Sequence, residues 1–224
     1  MVSTWVLDLL TVPPTRAAIW LALSFMLAGS ATLVTRLVAP DLEQLVRIVR
    51  WVQVPYFGLI LGGLSPRLMG LTVVGWDPRY TFGLVLLAGL LVLLVLIRIR
   101  LHTETDPIDA IEITGRSWSP SLMESCAQEF HWCFLRGAVW ELLYYIAPAS
   151  LSPHYWAVWI GAAISLTGIF FHPASLSDRL LTALVLMATS SLFLVTQSFW
   201  LCCFLHLGIR VILLWNQPIQ QRAT

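Results

Sequence analysis

Residues 82–97 read FGLVLLAGLLVLLVLI, an unbroken apolar run closed by Arg98 and Arg100. With its flanks the run reaches about 18 nearly uncharged residues, enough to cross the hydrocarbon core of a bilayer. Polar backbone groups in that medium are satisfied only in helices or closed barrels, and period-2 alternation is absent, so a helix is expected.

Comparable segments lie on both sides. Residues 17–38 form a first span, ending at Arg36, Pro40 and Asp41. Residues 42–64 begin amphipathic with Glu43, Arg47 and Arg50, turn apolar, and are expected to kink at Pro55 before Gly62 and Gly63. Residues 65–80 carry Pro66, Gly70, Gly75 and the Asp77–Pro78 turn pair, a connecting loop in which no chemistry is legible. Beyond the polar connector at 101–120 come four more apolar segments, 121–146, 155–171, 179–196 and 199–215. The expected fold is all-α, a multi-pass transmembrane bundle of about seven helices forming a single membrane domain over residues 1–224.

Composition agrees: the chain is 58% hydrophobic and 11% charged, with a mean hydropathy of +0.80. A net charge of +1, with thirteen Arg and no Lys, gives no sign of a nucleic-acid partner. Residues 1–16 lack a basic stretch followed by a small-residue cleavage site, so no cleaved signal peptide is expected. Arginines 36, 47, 50, 98, 100, 116, 179 and 222 fall on one side of the alternating spans and only 16, 67 and 79 on the other, which places the first side in the cytoplasm. Cysteines 126, 133, 202 and 203 all sit in apolar segments without a CxxC pair, as buried free thiols do.

The chemistry gathers in the C-terminal half. His131, His172 and His206 lie in or at the ends of three different apolar segments. An ionisable group at membrane depth costs roughly 2.5 to 3.5 kcal/mol on insertion scales, so it faces the bundle interior and commonly serves a site. Three such residues suggest one shared cavity open to the cytoplasm. The segment 121–146 also carries Glu124, Gln128, Glu129, Arg136 and Glu141, a load that places it in the middle of the bundle.

These residues carry a resemblance. HWCFLRG from His131 to Gly137, the FFHP ending at Pro173 and the SFWLCCFLHLGIR ending at Arg210 resemble the core of the CPBP intramembrane endopeptidases, the type II CAAX prenyl protease group. The resemblance covers residues 120–215. It implies E-E-x-x-x-R, F-x-x-x-H and H-x-x-x-N/D motifs on successive core helices, with a glutamate and a histidine activating water and a later histidine and asparagine steadying the oxyanion. Arg136, His172 and His206 stand at family positions. The glutamate pair is replaced by His131 and Trp132, the aromatic residue of the second motif by Gly168, and the asparagine by Arg210.

Glu129 is two residues from His131, about 200° around a helix, and so points away from it. It shares a face with Arg136, but about two turns separate them, a spacing that argues against direct contact without bending. Glu141 is a further candidate base. Arg210 is a candidate oxyanion donor, or a counter-ion for Glu129 or Glu141. Trp132 and Arg136, four apart, fit a cation–π pair.

Three functions stay open. One is a non-proteolytic scaffold or subunit that binds a membrane protein partner or ligand in the lipid bilayer. Another is an active endopeptidase with a rearranged site, using Glu129 or Glu141 as base. The third is a histidine-held metal or tetrapyrrole site. The cofactor, if one exists, is unknown from the sequence.

Overall fold

The computed structural model describes residues 12–34, 42–74, 78–104, 118–146, 152–171 and 174–214. Among them the chain is all-α, with seven helices and no strand. In chain order these are α1 (Pro13–Val34), α2 (Glu43–Ile60), α3 (Pro78–Glu104), α4 (Trp118–Ile146), α5 (Pro153–Phe171), α6 (Leu176–Thr196) and α7 (Phe199–Leu214). The expected kink position, Pro55, lies inside α2, which is helical on both sides of it.

α4 is the axis of the molecule, packing against α1, α2, α5 and α7. Every residue from 131 to 139 is buried, which is why this helix carries no simple apolar stripe. Its two sides feed two cores. Trp132 and Cys133 join Val185, Leu186, Phe193, Leu201 and Leu205 of α6 and α7 in one, and Phe134, Leu135 and Ala138 join Leu21 of α1 and Val54 of α2 in the other. α3 packs against α6 and α7.

Local chemistry fixes the entry to α6. The Ser175 hydroxyl accepts a hydrogen bond from the Asp178 amide at 3.1 Å, and Asp178 places a carboxylate in the first turn, where the helix dipole favours it. The helix closes at Gln197, whose amide makes the last helical bond to the Phe193 carbonyl at 2.8 Å and whose φ of 53° turns the chain out of the helix.

The loop after α2 does more than connect. Met69 is fully buried, and residues 70–73 cap the start of α7: the Phe199 amide donates to the Gly70 carbonyl at 3.1 Å, the Ser198 hydroxyl to Val73 at 3.2 Å, and the Trp200 indole to Leu71 at 3.0 Å. Gly70 adopts a φ of +75°, and a Cβ there would run into the Gln197 carbonyl and come within 2.8 Å of the Phe199 nitrogen. Only glycine fits both the conformation and the approach.

By length and composition, α6 and the Pro78–Arg100 stretch of α3 qualify as membrane spans, while Pro14–Leu27, Ile48–Ile60 and Phe199–Leu213 are shorter apolar helices.

Candidate functional site

Helical spacing puts Glu129, Trp132, Cys133 and Arg136 on one side of α4, at i, i+3, i+4 and i+7. Glu129 and Arg136 are in direct contact, Arg136 Nη1 to Glu129 Oε1 at 3.0 Å, contrary to the expectation from their separation. About 10 Å of rise lies between the two Cα atoms, but helical side chains lean toward the N-terminus, and the long arginine stem lies back along its own helix. Arg136 Nη2 meanwhile donates to Thr189 Oγ1 and Ser190 Oγ on α6, each at 3.2 Å.

The second carboxylate oxygen faces α7. Glu129 Oε2 lies 3.3 Å from His206 Nδ1, and an ionised carboxylate there requires the Nδ1 proton to point at it. The Cys133 thiol adds a 3.7 Å contact to Glu129 Oε1. Glu129 and His206 are 0% exposed and Arg136 1%. The charges are thus withdrawn from solvent but paired, the condition under which burial is tolerated.

Trp132 does not pair with Arg136. Its indole stacks on His206, with centroids 5.2 Å apart and planes 12° from parallel, while the Arg136 guanidinium sits 5.3 Å over Phe193. Trp132 leaves its Cα one turn N-terminal to Arg136, on the side facing α7, whereas the arginine head is drawn toward the hydroxyls of α6.

His131 belongs to a different place. Its Nε2 lies 3.2 Å from Ser24 Oγ of α1, and its ring meets Trp51 of α2 edge-on at 5.1 Å. Arg50 in turn covers Trp51 at 4.4 Å. The expected shared cavity therefore does not unite His131 with His206: the roughly 200° between positions 129 and 131 sends them to opposite sides of α4. His172, the third member, lies outside the described residues.

The remaining candidates take other hydrogen-bond partners. Arg210, one turn beyond His206, donates to Thr182 of α6 at 3.4 Å, and the cation paired with Glu129 is Arg136. Glu141 has Arg16 and the Ser65 backbone as its electrostatic neighbours, far along α4 from Glu129. Gly168 is exposed, with nothing within 4 Å of the place a Cβ would take. Thr189 and Ser190 went unread in the sequence. Their signal was there, a run of three hydroxyls at Thr189, Ser190 and Ser191 in the middle of a mainly apolar helix, but only a partner makes it meaningful.

Among the described residues no group of three or more His, Cys, Asp and Glu side chains is placed to hold a metal ion. The carboxylate and imidazole form an acid–base couple in kind, and His206 Nε2 is buried without a hydrogen-bond partner among the described residues. Beside the couple, between α2, α4 and α7, runs an apolar groove of about 560 Å³, lined among others by Val52, Cys126, Phe130, Phe199 and Leu207. Compared with protein-family models, with curated proteins and with solved structures, the chain finds no match.

Proposed function

We propose that the chain is a multi-pass membrane protein of CPBP type in which the polar centre clasps helices together instead of hydrolysing peptides, and that it acts by binding a membrane protein partner or ligand. The membrane reading is supported by α3, in whose apolar stretch Pro78–Arg100 only Gly83 and Leu87 are buried against the rest of the chain. Val85, Val92, Leu93 and Ile99 are each more than half exposed on it. An apolar face of that length needs lipid or another protein to cover it. The arginine asymmetry of the connections then orients the chain with its C-terminus in the cytoplasm.

One observation carries the non-proteolytic reading. Both oxygens of Glu129 are engaged, by Arg136 and Cys133 on one side and His206 on the other, and the carboxylate is 0% exposed. A general base must reach the proton it removes, and a carboxylate held by a guanidinium is a poor proton acceptor. Purified protein in detergent or liposomes should leave prenylated and membrane-spanning test peptides intact. Cleavage that disappears in Glu129→Gln and His206→Ala would overturn the reading.

A second reading has one observation in its favour. The Glu129–His206 contact at 3.3 Å, with His206 Nε2 unpartnered among the described residues, sets a carboxylate two residues before the replaced glutamate pair against the histidine to which the family resemblance assigns the oxyanion. In that reading Glu129 is the base, and the same peptide assay decides between the two.

A further inference from the structure

Cys126 and Cys203 face each other across the α4–α7 seam. Their sulfurs lie 3.5 Å apart, with the Cys203 thiol directed at Cys126. The two helices run antiparallel here: Phe130 meets Phe199 at 6.0 Å, and four residues back on α4 and four on along α7 the two cysteines meet. Cys126 also lines the apolar groove and is partly exposed, whereas Cys133 and Cys202 are fully buried. Those two are otherwise engaged, Cys133 with Glu129 and Arg136, Cys202 with the Thr189 carbonyl at 3.3 Å.

We propose that Cys126 and Cys203 form an oxidisable pair that closes to a disulfide when peroxide reaches the groove. A disulfide needs the sulfurs about 2.05 Å apart, so the pair must close by about 1.5 Å, within the reach of side-chain rotation about χ1. Cys126, the sulfur that lines the groove, takes one oxygen from hydrogen peroxide to give a sulfenic acid and releases one water. The Cys203 sulfur then attacks that sulfur, the S–O bond breaks, a second water leaves, and the S–S bond forms. Two electrons pass to the peroxide and two thiol hydrogens leave as water.

The bond would staple the helices that hold the polar clasp. Cys126 lies one turn before Glu129 on α4, and Cys203 one turn before His206 on α7. Closure therefore fixes the spacing of the two helices at the level of the Glu129–His206 contact. This inference stands on the thiol geometry and is independent of whether the centre is hydrolytic.

The test is to treat the full-length protein in detergent with hydrogen peroxide, block remaining thiols with an alkylating reagent, and map the products by peptide mass. The expected major product is one cross-linked peptide pair containing Cys126 and Cys203, lighter by two hydrogens, with Cys133 and Cys202 still alkylatable once the chain is unfolded. It should persist in Cys133→Ser and Cys202→Ser and vanish in Cys126→Ser and Cys203→Ser. Cross-links through Cys133 or Cys202, over-oxidation of Cys126 with Cys203 left free, or four untouched thiols would each overturn it. The wild-type map reads the pairing directly, so the result does not depend on any variant folding.

Discussion

The two sides of α4 treat histidine differently. Toward α6 and α7, His206 belongs to a network of a carboxylate, a guanidinium, a thiol and two hydroxyls, all buried. Toward α1 and α2, His131 meets a serine hydroxyl and the rings of Trp51 and Phe134, with no carboxylate hydrogen-bonded to it among the described residues. Both rings are buried, yet it is His206 whose carboxylate partner is itself ion-paired, to Arg136. Burial of a polar group thus says little about its role, and the number and charge of its partners say much more.

The sharpest way to break the contrast is to remove the guanidinium. Arg136→Met leaves Glu129 buried without its cation, and breaking a buried pair from one side costs roughly 3 to 5 kcal/mol. Thermal or denaturant unfolding in detergent should register that loss, or the protein should fail to accumulate folded. Adding Glu129→Gln to the same chain tests whether the two residues act as a unit. The double variant is expected to be more stable than Arg136→Met alone, with a coupling of about 1 kcal/mol or more. Additive losses would mean that the pair is not the organising contact.

Next in size is the loop that caps α7 and so positions His206. Gly70→Ala forces a side chain into a positive-φ site against the Gln197 carbonyl and should cost roughly 1 to 3 kcal/mol. Gly168→Ala, at a position with open space around it, should change stability by no more than about 1 kcal/mol, in the stabilising direction. The same unfolding measurement compares them.

The smallest effect belongs to the other side of α4. Ser24→Ala removes one interhelical hydrogen bond to His131, and such bonds within membrane bundles average about 0.6 kcal/mol. A loss as large as that of Arg136→Met would erase the distinction between the two sides.

Much of the site was visible in the sequence only as a set of residues. The separation of Glu129 from His131 followed from helical geometry alone, because 100° per residue leaves no freedom at i+2. The Glu129–Arg136 contact did not follow, since it depends on how far a flexible arginine leans and on what receives its second nitrogen. Thr189 and Ser190 supply that receiver from α6, more than fifty residues away in the chain. The loop at 65–74 was legible as a turn from Pro66 and Gly70, but its hold on α7 was not, because backbone carbonyls carry no sequence signature.

The sequence by itself determined the helices: long apolar runs punctuated by Pro, Gly and Arg give an all-α chain whatever the packing, since backbone hydrogen bonding in a helix is local. The tertiary structure alone decided the partners. Which histidine meets the carboxylate, which cysteines touch and which loop caps α7 depend on how helices cross, and those crossings are set by side-chain packing summed over the whole interface.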